Sequence, residues 1–405
     1  MALPAPQPPA HRLDRPRAGV PARALEQHKM TDRIHQFLAD RRPQTPCLVI
    51  DLSVIEENYR ELERRLPLAR IYYAVKANPA PEIIAKLAEL GSCFDVASRG
   101  EIDLCLAAGV PGERLSFGNT IKKQADIAYA FEQGVRLFAF DSDGELDKLA
   151  TAAPGAAVFC RILTDGKGAD WPLSRKFGCG ASMAAALLLR AKERGLDPCG
   201  ISFHVGSQQT ALQAWDKAVG DAAKLFRRLR DDGIDLRMLN LGGGFPTRYR
   251  TDVPATEACA DAVMKAVTRH FGNDLPDMIV EPGRALAGAA GVIQAEVVLI
   301  SRKDYADRKR WVYLDIGKFS GLAETMDEAI KYPIVTEREG GETGPVVIAG
   351  PSSDSADILY EHSDYKLPLD LKVGDKVAIL GTGAYTSSYS SVGFNGFAPL
   401  QTYCI

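Results

Sequence analysis

The chain has 405 residues, 46% of them hydrophobic, enough to bury a large core and to form two or three domains. A formal net charge of −3 gives no electrostatic reason to bind nucleic acid or an anionic membrane, and no apolar run is long enough to span a bilayer. The eight cysteines show no CxxC pair and no zinc spacing, so buried free thiols, a reducing cytoplasm and no metal are expected.

Residues 1–29 are rich in Pro, Ala and Arg, nearly free of acids, and lack the apolar stretch of a secretory signal. They read as a disordered extension, with Met30 as a candidate natural start. A helix-like segment opens after Met30, and Thr45–Leu52 reads as a strand. Residues 30–53 are expected to complete a β domain formed mainly later in the chain.

Eight short apolar, β-rich runs follow: Ile71–Asn78, Cys93–Ser98, Leu115–Asn119, Leu137–Ser142, Ala157–Leu163, Gly200–Gly206, Met238–Gly244 and Met278–Gly283. Amphipathic stretches such as Pro81–Leu90, Glu101–Ala108, Lys122–Gln133, Ala181–Arg194, Ala211–Arg230 and Glu257–Phe271 lie between them. Strands alternating with helices imply right-handed crossovers and a parallel sheet. The spacing predicts a closed (β/α)8 TIM barrel over residues 54–290. Beyond it, Gly291–Ser301, Arg310–Asp315, Gly344–Ala349, Lys376–Leu380 and Gln401–Ile405 read as strands without long helices between them. They predict an antiparallel β domain over residues 291–405.

Polar residues gather where the barrel strands end. The first run carries Lys76, stopped by Asn78-Pro79; the second carries Asp95 and the fifth Arg161. The sixth leads into His204-Val205-Gly206-Ser207, the seventh into Gly242-Gly243-Gly244, and the eighth into Glu281-Pro282-Gly283-Arg284. Strand C-termini form the rim where barrel active sites are built. A lysine desolvated there is the usual carrier of an imine to a carbonyl cofactor. Glycines let backbone N–H groups approach a phosphate, and Arg284 adds charge beside them. A strand-end carboxylate such as Glu281 needs a positive partner, which a protonated pyridine nitrogen would supply. His204 has two readings: a flat partner stacked on a ring, or a core histidine with both nitrogens bonded.

These residues stand in an ordered set of motifs: Ala74-Val75-Lys76-Ala77-Asn78, Phe94-Asp95-Val96-Ala97-Ser98, Phe203-His204-Val205-Gly206-Ser207, Gly242-Gly243-Gly244-Phe245-Pro246, Glu281-Pro282-Gly283-Arg284, Gly350-Pro351-Ser352-Ser353-Asp354, Gly383-Ala384-Tyr385 and Phe394-Asn395-Gly396-Phe397. From Thr45 to the C-terminus the chain resembles the fold-type III pyridoxal-phosphate decarboxylases of the ornithine decarboxylase group, whose barrel is shared with alanine racemase. The stretch Asp315-Ile316-Gly317-Lys318-Phe319 is similar to bacterial enzymes that take lysine as well as ornithine.

The resemblance implies that Lys76 carries pyridoxal 5'-phosphate as an imine and that Glu281 pairs with its pyridine nitrogen. It implies that His204 stacks on the ring and that Asp95 and Arg161 make polar contacts around it. Ser207, Gly243, Gly244, Arg284 and Tyr385 would hold the phosphate. Asp327 would bind the distal amine of a basic amino acid. A head-to-tail homodimer would bring Asp354 into the partner's site, and Phe394 would line the substrate pocket. Glu324-Thr325-Met326-Asp327 also admits a plainer reading, a solvated acidic helix start. Ser353 departs from the family, which has cysteine there as the acid that returns a proton after CO2 leaves; a hydroxyl is a much weaker acid.

The implied activity is decarboxylation of L-ornithine to putrescine, with L-lysine to cadaverine as a second reaction. The alternatives are diaminopimelate decarboxylase, an amino-acid racemase, and a catalytically silent homologue that binds regulatory proteins.

Overall fold

The computed structural model describes residues 30–171, 176–338, 340–392, 395 and 399–405. The extension expected over 1–29 and the candidate pocket residue Phe394 lie outside the described residues.

Strand β1 (Cys47–Ile50) precedes the barrel, whose first five strands are β2 (Ala69–Ala74), β3 (Cys93–Val96), β4 (Leu115–Phe117), β5 (Leu137–Phe140) and β6 (Ala157–Arg161). A ribbon strand β7 (Ala169–Trp171) comes before barrel strand β8 (Asp197–Ser202). Its antiparallel partner β9 (Ser207–Gln209) comes before barrel strands β10 (Met238–Asn240) and β11 (Asp277–Val280). Every barrel pairing is parallel, and β11 returns to β2 with Val280 opposite Ile71, closing the sheet. Alternate residues fill the two faces. Tyr72, Ala139, Phe159, Cys199, Met238 and Ile279, from six different barrel strands, form one buried cluster. Ile71 and Tyr73 belong instead to the larger core shared with the helices. That double burial is why the strands read as continuous apolar runs rather than alternating ones.

All eight runs become barrel strands, but the strands stop short of the runs. Ala74 is the last residue of β2; its N–H bonds Pro282 O, and Val75–Ala77 then tightens into a 3-10 turn. The same shortening frees the C-terminal ends of the other runs to form rim loops. Two helices not singled out in the sequence, Leu52–Arg65 and Asp143–Ala152, complete the surrounding layer. The first is capped by Asp51, whose side chain accepts from the Ser53 N–H.

The C-terminal sheet contains β12 (Gly291–Ser301), β13 (Arg310–Leu314), β14 (Ile334–Thr336), β15 (Thr343–Ala349), β16 (Ile358–Tyr360), β17 (Lys366–Pro368), β18 (Lys376–Leu380) and β19 (Gln401–Cys404). As expected, β1 joins it, antiparallel to β12 and parallel to β19. With β13 also parallel to β15, the sheet is mixed rather than wholly antiparallel. Chain connections that pass over the sheet before returning make those parallel pairs, and no local pattern in the strands marks them. Among the described residues, no helix is long and apolar enough to cross a membrane.

Candidate active site

Lys76 sits on the 3-10 turn after β2 rather than within the strand. The sheet domain clasps this turn: Tyr385 N–H donates to Ala77 O at 2.8 Å, Ser388 Oγ to Lys76 O at 3.2 Å, and Asn78 Nδ2 to Gly383 O at 2.8 Å. Solvent reaches Lys76 through the open barrel mouth, yet protein atoms crowd it from every other direction, and that crowding governs its charge. Burial pulls its pKa down; the facing Tyr385, Asp95 and Glu281 outweigh this and leave it above the ordinary lysine value.

Asp95 lies on β3 and is 7% exposed, with Oδ1 buried and without a hydrogen-bond partner. Burial, reinforced by the Glu281 charge, pushes its pKa well above the carboxylate range. Gly118 is required beside it, because a Cβ there would run into Asp95 Oδ1. Arg161 ends β6 with its guanidinium 5.3 Å from the Phe177 ring centroid, and burial lowers its pKa.

His204 accepts the Gly206 N–H on Nδ1 at 2.9 Å, which assigns the ring proton to Nε2. Burial, then the positive charges of Arg161 and Lys76, hold its pKa well below 6.5, so the imidazole is neutral. Glu281 follows β11. Its Oε1 accepts from Asn240 Nδ2, while Asn240 Oδ1 accepts the Gly242 N–H. Asn240 is fully buried and orients this carboxylate; sequence reasoning missed it, although it stands two residues before the glycine triplet. Among the described residues Glu281 forms no salt bridge: its carboxylate is hydrogen-bonded to the neutral Asn240 amide, and Lys76 and Arg161 act on it through space only.

The glycine triplet is demanded by the backbone. A Cβ on Gly243 would lie 2.6 Å from Glu281 O and 3.3 Å from His204 Nε2, and one on Gly244 would lie 2.5 Å from Gly206 O. Gly242 and Gly244 also have positive φ.

Arg284 is 4% exposed and holds an unanticipated partner. Its Nη1 and Nη2 donate to both carboxylate oxygens of buried Glu324, at 2.7 and 2.5 Å, and Nη1 also donates to Tyr249 Oη. The remaining edge, Nε and Nη2, faces Ser207 Oγ at 3.4 and 3.3 Å, and the guanidinium lies 4.8 Å from the Tyr385 ring centroid. Burial opposes the charge, but Tyr249 and Glu324 outweigh it and keep Arg284 firmly cationic. The solvated acidic helix start therefore describes only part of its segment, because Glu324 points into the core.

Asp327, three residues on, has φ 52° and is exposed, with no ion pair among the described residues. Ser353 and Asp354 are not brought to the Lys76 cluster within the chain. Both are exposed; Ser353 N and Oγ donate to Asn395 Oδ1, and Asp354 Oδ1 accepts the Ala356 N–H.

A closed parallel barrel with a lysine, a lone carboxylate, a neutral imidazole and a glycine cradle at its C-terminal mouth defines the class that works through a carbonyl cofactor. The chain belongs to the pyridoxal-dependent decarboxylases: residues 52–288 match that family's pyridoxal binding domain. It is 37% identical over 375 residues to the lysine/ornithine decarboxylase of Selenomonas ruminantium, covering 92% of each chain. It is 31% identical to antizyme inhibitor 2 of Xenopus laevis, covering 86% of this chain and 78% of that one. The crystal structure of the Selenomonas ruminantium lysine decarboxylase with PLP and cadaverine matches with a TM-score of 0.83 and 36% identity, over 93% of this chain and 94% of that one.

The residues fit pyridoxal phosphate. Glu281 forms no direct ion pair among the described residues, which leaves its carboxylate open to the cation that a protonated pyridine nitrogen would provide; Asp95 has an unsatisfied buried oxygen, and the cradle is too tight for any Cβ.

Proposed function

We propose that this protein decarboxylates L-ornithine to putrescine and CO2, feeding polyamine synthesis, with L-lysine to cadaverine as a second reaction. The observation that carries the reading is the Lys76–Asp95–Glu281 charge cluster beside the glycine cradle at one barrel mouth. Pyridoxal phosphate, when bound, supplies a carbonyl carbon for amine exchange and an electron sink for the carbanion left by CO2.

The chain's own residues do the rest. Lys76 Nζ offers the nucleophile, and Glu281, aimed by Asn240, holds a proton on the ring nitrogen. Neutral His204 would offer the ring a flat face without adding charge. Ser207, which Arg284 approaches at 3.4 Å, would hold the phosphate together with the N–H groups of Gly243 and Gly244 and with Tyr385. Arg161 and Asp95, which act on each other electrostatically, would make the polar contacts around the ring. Glu324, three residues earlier and anchored on Arg284, would set Asp327 at the rim; the exposed Asp327 carboxylate would select a cationic side chain and disfavour neutral ones. Ser353 and Asp354 are exposed and bond Asn395 and Ala356 within one chain, so a second copy would supply them to the cluster. Ser353 then returns the proton to the substrate carbon.

A diaminopimelate substrate would need a cation for its distal carboxylate. Arg284 is already tied to Glu324 and so is not free for that task, which disfavours that reading.

The test is to incubate the protein and pyridoxal phosphate separately with ornithine, lysine, arginine and diaminopimelate, identifying each product by mass. Putrescine should form fastest and cadaverine more slowly, since one methylene in a pocket is worth only about 1–3 kcal/mol. Lys76→Ala should remove the visible imine band and lower turnover by at least about 10²-fold. No amine from any substrate would hand the site to the regulatory-binding alternative.

A further inference from the structure

Two of the eight cysteines lie next to this site with no part in the chemistry above. Cys160 is the penultimate residue of β6, directly before Arg161, and its sulfur is 3.6 Å from that of Cys179. The backbone holds both in place: Cys179 N–H donates to Arg161 O at 3.0 Å, and Leu163 N–H to Cys179 O at 3.0 Å. The turn carrying Cys179 also brings Phe177 against the Arg161 guanidinium. Between the two cysteines the chain includes Thr164, whose hydroxyl donates to His204 O, and β7, which pairs Trp171 with Ser207. The excursion that the two sulfurs bracket thus touches three residues of the proposed cofactor site.

We propose that Cys160 and Cys179 form a reversible oxidation site that peroxide closes to a disulfide, displacing Arg161 and weakening cofactor binding. The consequence for the cofactor rests on the Arg161 role given above; the crosslink itself does not.

The chemistry balances with hydrogen peroxide as oxidant. The Cys179 sulfur attacks one peroxide oxygen, breaking the O–O bond; a sulfenic acid forms and the first water leaves once protonated. The Cys160 sulfur then attacks the sulfenic sulfur, the S–O bond breaks, and hydroxide leaves with the Cys160 proton as the second water. Two thiols are oxidised by two electrons and one peroxide is reduced.

Cys179 is the entry point, since it is 5% exposed against 0% for Cys160. The hydrogen bond from Cys160 draws the Cys179 thiol below its ordinary pKa and raises that of Cys160, giving an attacking and a resolving partner. To bond, the sulfurs must close from 3.6 Å to about 2.05 Å, pulling on the strand end that carries Arg161. A displacement of roughly 1 Å at a binding group can cost on the order of 10²-fold in turnover.

The experiment uses the full-length protein, reduced, with its cofactor affinity first established by absorbance titration. Samples are treated with hydrogen peroxide, unfolded and alkylated, and the free thiols counted by intact mass. The expected result is a fall from eight alkylatable thiols to six, one peptide linking Cys160 to Cys179, and reversal by dithiothreitol. The oxidised form should bind pyridoxal phosphate at least about tenfold more weakly, with Cys160→Ser protein losing both crosslink and affinity change. If Cys160→Ser does not fold, Cys179→Ala serves the same comparison. Eight thiols persisting, or a different pair linking first, overturns the site. A Cys160–Cys179 crosslink with unchanged cofactor affinity overturns the switch. Failure of the reduced protein to bind the cofactor would instead count against the proposed function.

Discussion

Glu324→Gln is the most informative single change, because it keeps the shape of the Arg284 partner and removes its charge. Both groups are nearly fully buried, at 4% and 5% exposure, so solvent screening is slight. Breaking one side of such a pair typically costs about 3–5 kcal/mol, since the surviving charge is left uncompensated. With 405 residues at about 2.1 cal/mol/K each, the unfolding entropy is roughly 0.85 kcal/mol/K. The cofactor-free variant should therefore melt about 4–6 °C lower than the parent. A phosphate dianion arriving beside Arg284 and Ser207 replaces the missing charge, so the cofactor-loaded variant should recover most of that loss. The same logic makes binding tighter: each about 1.4 kcal/mol recovered is tenfold in affinity. The assay is thermal unfolding with and without pyridoxal phosphate, alongside an absorbance titration. Equal losses in both forms, or weaker binding in the variant, would refute the view that Glu324 and the phosphate compete for one guanidinium.

Other substitutions probe the rest of the mouth. Asp95 has a folded-state pKa raised above its unfolded value of about 3.9, so its contribution to stability is full below that pH and is lost as pH rises through the folded value. Asp95→Asn in the cofactor-free protein should therefore gain stability relative to the parent between pH 4 and 7, read by denaturant titration at several pH values; a difference that shrinks with pH contradicts it. Gly243→Ala forces a Cβ to within 2.6 Å of Glu281 O, and overpacking of this kind costs about 1–3 kcal/mol. Its melting temperature should drop and cofactor affinity should weaken together, whereas a free surface loop would show neither. Ser353→Cys restores a stronger acid at the substrate carbon, whereas protonation at the wrong carbon would release an aldehyde instead, so the ratio of diamine to aldehyde should rise, by up to the roughly 10²–10⁴-fold that a positioned proton donor contributes. An unchanged ratio would remove Ser353 from the proton path.

The barrel was legible because double-sided burial writes itself as apolar runs, and turn residues punctuate them. The rim was legible because lysine, aspartate and glutamate are out of place at the ends of such runs. The strand boundaries were not, since Val75 is as apolar as Tyr73 and only the Ala74–Pro282 hydrogen bond shows where the ladder ends. Asn240 and Glu324 escaped notice for another reason. Each acts on a charged residue far along the chain, Glu281 or Arg284, and a buried polar side chain announces nothing until its partner is known. The parallel pairs of the C-terminal sheet are likewise a product of chain routing, which strand composition does not encode. Ser353 and Asp354 read as site residues through family resemblance alone, and inside one chain their bonds go to Asn395 and Ala356.

The three hydrogen bonds that tie Lys76, Ala77 and Asn78 to Gly383, Tyr385 and Ser388 make the two halves of the polypeptide a single instrument. An excised barrel would keep Lys76 but lose the brace that holds its turn. Engineering this scaffold by swapping or trimming the terminal sheet therefore means retuning the amine proposed to carry the cofactor, even when every barrel residue is left untouched.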